Sequence, residues 1–124
     1  MPAPDEQIRD VVERYVKLVA AGTADEIVSL YADGATVEDP VGSEPLTTRE
    51  QIHAFYKNLE GLEQEARVVH ARVCGGQAAF LFELATKVGE QTYRLSPIDV
   101  MTFDDEGLIT SMRAFWGPAD MVVG

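Results

Sequence analysis

Two carboxylates and three tyrosines stand out in the sequence, because together they could move a proton and hold the charge its removal leaves behind. Asp99 is the strongest anomaly. Strand alternation puts it on the same face as Leu95, Met101 and Phe103, where it loses water, and that favours the neutral acid. The position also suits a buried acid satisfied by backbone or by an arginine, but alternation turns Arg94 and Arg113 to the opposite faces of their strands. Asp39 lies in Val37-Glu38-Asp39-Pro40. Two acids beside a proline suit a solvated turn, and they suit a general base at a pocket mouth if the carboxylate reaches the proton it takes. Tyr15 falls on the apolar stripe of a first helix, as a core tyrosine with a satisfied hydroxyl or as a donor aimed into a pocket. Tyr31 and Tyr56 also fall on inward helix faces, and three tyrosines converging on one core could form a chain of hydroxyls.

Other chemistries find little support. His53 and His70 lack ligand spacing and read as surface or cap residues. Cys74 adjoins a turn and has no partner signal. Glu38, Asp39 and Glu44 could cluster around a metal, but no His/Cys ligand pattern accompanies them, so no metal is expected. The glycines are scattered without a phosphate-binding loop, and Ser43 and Ser96 lack a paired histidine motif. No cofactor is implied.

The elements that must position these groups alternate clearly along the chain. Ile8, Val11, Val12, Tyr15, Val16 and Val19 recur at helical spacing, with Asp5 as a possible cap and Gly22 at the end. Thr23 with Glu26 and Thr48 with Gln51 fit capping boxes. The first opens a helix carrying Ile27, Leu30 and Tyr31, which Gly34 breaks; the second opens one carrying Ile52, Phe55, Tyr56 and Leu59. Residues 35–39 read as extended. Strands follow from Ala66 to Val73 and from Ala78 to Ala85, with Gly75-Gly76 as the turn. Tyr93, Leu95, Pro97, Asp99, Met101 and Phe103 line one face of the next strand, and Leu108, Thr110, Met112, Ala114 and Trp116 one face of the last. Three helices followed by an antiparallel meander predict an α+β fold, a strongly curved sheet wrapped around the helices as a cone with an apolar interior pocket.

The 124 residues suit one domain, residues 1–124. Ten basic against 21 acidic side chains give a net charge of −11, which repels phosphate backbones and anionic lipid, so neither nucleic acid nor a membrane surface is an expected partner. A single cysteine, no signal-like start and no long apolar run fit a cytoplasmic protein.

Several segments, in order, closely resemble bacterial Δ5-3-ketosteroid isomerases: Arg14-Tyr15-Val16, residues 31–40 (YADGATVEDP), Phe55-Tyr56, Pro97-Ile98-Asp99-Val100 and Ser111-Met112-Arg113-Ala114-Phe115-Trp116. The resemblance runs from about residue 8 to 117 and is thinnest over 60–95. It implies a cone of the nuclear-transport-factor-2-like type, a homodimer packed through the sheets, and cofactor-free isomerisation of an apolar ketosteroid. By motif, Asp39 corresponds to the general base, and Tyr15 and Asp99 to the two oxyanion-hole donors. Tyr31 and Tyr56 correspond to accessory tyrosines, and Phe80, Phe82, Met112 and Trp116 to pocket-lining positions. Exposed apolar residues on the outer sheet face (Leu81, Ile98, Val100 and Phe115) fit the dimer. Other enzymes on the same fold, such as an epoxide hydrolase or a polyketide cyclase, and a carrier of small apolar ligands are the competing expectations.

Overall fold

A computed structural model describes residues 2–124. Helix α1 (Asp5–Ala21) buries Ile8, Val11, Val12, Tyr15, Val16 and Val19, the stripe its periodicity predicts. Pro4 occupies its N-cap, so Asp5 stands inside the first turn and gives no side-chain cap; its charge instead meets the positive end of the helix dipole. Helices α2 (Ala24–Val28) and α3 (Arg49–Lys57) start at Thr23 and Thr48, each with both bonds of a capping box in place.

Strand β1 (Tyr31–Glu38) begins earlier than the sequence pattern suggests. Helix α2 stops at Val28, so Tyr31 opens a strand and is not on a helix face. Tertiary pairing overrides the local pattern: Tyr31 registers with Ile109, and the Ile109 amide donates to the Leu30 carbonyl at 2.9 Å. Gly34, at φ 78°, lies where the register slips between Tyr31 and Thr36, a bulge that its missing Cβ permits.

The remaining strands are β2 (Glu63–Cys74), β3 (Gln77–Val88), β4 (Gln91–Leu95), β5 (Ile98–Phe103), β6 (Ile109–Phe115) and β7 (Val122–Val123). Strand β3 is the spine. Strand β2 pairs along one side of it, and β5 and β4 share the other, at Gln77–Leu81 and Leu84–Val88 respectively. The single strand expected over 93–103 is therefore two. Pro97 has no amide hydrogen for a ladder, and its carbonyl takes the Phe82 amide across the gap. Strand β6 joins β5 antiparallel and β1 parallel, giving a mixed, mostly antiparallel sheet. After Trp116 the chain makes a short turn of 3-10 helix and returns as β7 on the free edge of β4.

The helices cover one face of this sheet, with α1 against β2 and β3 and α3 against α2 and β1. Two rows of side chains under them are closed to solvent. Phe80, Asp99 and Ala114 stand side by side across β3, β5 and β6, and Ala78, Met101, Met112 and Val37 form the next row. One expectation fails at the start of β6. A register slip at Thr110 turns Ile109, fully buried, toward the core in place of Leu108. On the outer face Ile98 and Phe115 are neighbours and are 47% and 40% exposed. Among the described residues no helix is long and apolar enough to cross a membrane.

Candidate active site

Four elements, α1, α3, β1 and β5, bring the singled-out residues together. Asp99 points inward from the middle of β5 with only 1% of its surface exposed. Its Oδ1 has no hydrogen-bond partner among the described residues. Arg94 and Arg113 are exposed, as the alternation predicts, and neither neutralises it. Burial pushes the Asp99 carboxyl well above the ordinary carboxylate range, and the charge of Asp39 adds to the rise.

Tyr15 reaches the same place from α1. Its ring lies edge-on to Phe80, 6.3 Å between centroids, and Phe80 is the cross-strand neighbour of Asp99. The Tyr15 hydroxyl is 2.8 Å from that of Tyr56 on α3, and the Tyr56 hydroxyl is 2.6 Å from that of Tyr31 at the head of β1. All three tyrosines are buried. Burial raises each hydroxyl's pKa well above the usual value, so all three are neutral donors at physiological pH. With Tyr31 donating to Tyr56 and Tyr56 to Tyr15, the Tyr15 proton is left free to donate to a further acceptor. Negative charge on Asp99 or Asp39 adds to the rise at Tyr15.

Asp39 follows β1 by one residue and keeps the inward face of Val37. It is half-buried, and Trp116 Nε1 donates to its Oδ1 at 2.7 Å. Burial raises the Asp39 pKa and the indole bond opposes the rise. The loop behind it is pinned at several points. Val41 N donates to the Ala114 carbonyl, Leu46 pairs with Val37, and the Glu38 carboxylate accepts from Gly42 N and Arg113 Nε. The Gly42 bond, ahead of Arg113, holds the Glu38 pKa down, so Glu38 on the outer side stays ionised. The peptide between Asp39 and Pro40 is cis.

Asp39, Tyr15, Asp99, Tyr31 and Tyr56 thus converge. Phe80, Phe82 and Met112 lie in the core around them, at most 4% exposed, and Trp116 is partly open beside Asp39. His53 pairs with Asp25 on the surface, His70 and Cys74 are exposed, and none of them joins this site. Among the described residues no cluster of His, Cys, Asp and Glu is arranged to hold a metal. A groove of about 500 Å³ bordered by Glu83, Arg94, Asp120 and Val122 opens on the outer face and is separate. Sequence reasoning missed the indole–carboxylate bond. Its partners are 77 positions apart, and the parallel pairing of β1 with β6 brings them together.

An acid kept neutral beside a free phenol, with a second carboxylate at the open side, can take a proton from carbon and steady an oxyanion. Comparisons with known proteins give the chain's family and relatives. Residues 12–112 match the SnoaL-like domain family. The chain is 47% identical over 117 residues to a Steroid Delta-isomerase of Nocardioides simplex, covering 94% of this chain and 95% of that one. It is 29% identical to the epoxide hydrolase LasB of Streptomyces lasalocidi, spanning 94% of this chain but 44% of that protein. Among solved structures, the epoxide hydrolase/cyclase-like enzyme SalBIII, from work on pyran ring formation in salinomycin, superposes with a TM-score of 0.87. The two are 27% identical, and the match covers 96% of this chain and 97% of that one.

Proposed function

Because the chain belongs to the SnoaL-like domain family, we propose that it is a steroid Δ-isomerase, one domain converting 3-oxo-Δ5-steroids to 3-oxo-Δ4-steroids without a cofactor. The observation that carries this reading is the pair of acids on one inner face: Asp99 buried, its Oδ1 without a partner among the described residues, and Asp39 half-open and held by Trp116. The likeness to the Nocardioides enzyme supports it.

Asp39, ionised, removes a proton from C4 of the substrate. The electron pair moves through the carbonyl to the C3 oxygen and leaves a dienolate. Tyr15 and protonated Asp99 donate hydrogen bonds to that oxygen. Donors fixed in a dry site stabilise the developing charge without reorganising. Asp39 then returns its proton to C6, and the double bond comes into conjugation. The Trp116 indole holds Asp39 in place and favours the ionised form in which it takes the C4 proton. Two copies packing through Ile98, Phe115 and their outer-face neighbours would form a homodimer.

The test is growth of the ultraviolet absorbance of the conjugated enone from a 3-oxo-Δ5-steroid, with Asp39→Asn alongside. The protein should generate enone rapidly, and Asp39→Asn should lose about 10⁴-fold or more in rate, the upper end of what a positioned base supplies. Undiminished turnover by Asp39→Asn would remove Asp39 as the base. The likeness to LasB and SalBIII favours one competing reading, in which the same acids open an epoxide. Turnover of an epoxide with none of the ketosteroid would select it.

A further inference from the structure

The inner face of the sheet does not stay apolar to its end. Along β3 the inward side chains run Ala78, Phe80, Phe82, Leu84 and then Thr86. Gln64 on β2 is the register partner of Thr86, and its amide Nε2 donates to Thr86 Oγ1 at 2.9 Å. Alternation puts Gln64 on the face of Ala66 and Val68, both packed against the core. The other polar atom of the amide, Oε1, is buried and has no hydrogen-bond partner among the described residues. Turning the amide over only exchanges the roles: Thr86 then donates to the oxygen and the nitrogen goes unmet. An apolar side chain at this position would avoid that cost, so the unmet group calls for an explanation.

Tyr93, across β4 from Thr86, does not supply the partner, because its hydroxyl donates to Gln91. The rise of a strand, about 3.3 Å per residue, puts Thr86 about 20 Å from Phe80 and the Asp99 row. The stretch between is lined by Phe82 and Leu84.

We infer that Gln64 and Thr86 form a second polar subsite, which receives an oxygen at the end of the substrate remote from the reacting ketone. The inference rests on the ketosteroid reading above. Four fused rings lie along Phe82 and Leu84, and a short side chain on the last ring brings its oxygen to the amide. A hydroxyl there donates to Oε1; a ketone accepts from the nitrogen of the turned amide. The preferred class is a 3-oxo-Δ5-steroid whose side chain carries a hydroxyl or ketone, over one ending in hydrocarbon.

The experiment uses two 3-oxo-Δ5-steroids identical except for the side-chain oxygen, assayed with the protein and with Gln64→Leu. The protein should favour the oxygenated steroid about tenfold in kcat/KM, the discrimination of one hydrogen bond. The difference should lie in KM, since a bond far from the reacting carbons is made equally in ground and transition states. Gln64→Leu should bring the ratio close to one and keep its turnover of the hydrocarbon steroid. Gln64→Met, closer in shape, makes the same comparison if leucine disturbs the fold. Equal turnover of both steroids by the protein, or an unchanged ratio in the variants, overturns the subsite and leaves the isomerase reading standing. No turnover of either steroid by the protein overturns the isomerase reading, and the subsite with it.

Discussion

Asp39 stands just past the end of β1, where a loop leaves the sheet, and Asp99 in the middle of β5, with a strand on either side. Both face the same interior, yet their surroundings differ in what they offer a negative charge. Asp39 keeps part of its surface in solvent and takes a bond from Trp116. Asp99 is closed to solvent, and its Oδ1 meets no donor among the described residues. Burial raises both pKa values, but only at Asp39 does a hydrogen bond oppose the rise. One residue type is thereby divided into a base and a proton donor by position alone, because a strand interior excludes what a strand end admits.

Asp99→Ala is the strongest test of that division after removal of the base itself. It should cost about 10²–10³-fold in kcat, the loss typical of one oxyanion donor. Asp99→Asn, which keeps N–H donors, should recover part of this; equal loss in the two variants would mean that Asp99 matters for packing instead. Tyr56→Phe comes next. It removes the middle of the hydroxyl chain, leaves Tyr15 without its donor, and should lower kcat about tenfold, one hydrogen bond's worth. Tyr31→Phe in that background should then cost little more, since the chain is already cut. Trp116→Phe should have the smallest effect, roughly two- to fivefold at neutral pH. Its sharper signature is in the pH profile. Activity needs Asp39 ionised, so it rises with pH through the Asp39 pKa, which burial has raised. Without the indole bond that pKa goes higher, and the acidic limb of kcat/KM should move to higher pH. A limb that stays in place would show that the indole does not stabilise the ionised carboxylate.

Much of this arrangement was legible in the sequence. Period-2 alternation placed Asp99 among apolar neighbours, and period-3.6 spacing placed Tyr15 and Tyr56, because both follow from which face must leave water. The two capping boxes located the starts of α2 and α3 for the same local reason. Tyr31 was misread as helical. Helix and strand spacing are hard to separate over a few apolar residues, and its strand state is imposed by β6, distant in sequence. The break at Pro97 and the slip at Thr110 were missed because each depends on the neighbouring strand as well as on its own residues. The Trp116–Asp39 bond left no local trace at all.

The parallel pairing of β1 with β6 makes the position of the carboxylate a matter of counting. Glu38 and Arg113 are the last residues in register, and the chain leaves both strands at the same edge, delivering Asp39 and Trp116 side by side. Side chains change face at every step along a strand. Removing one residue between Thr36 and Asp39 would turn the carboxylate to the outer face, with every chemical group still present and the indole left without its partner.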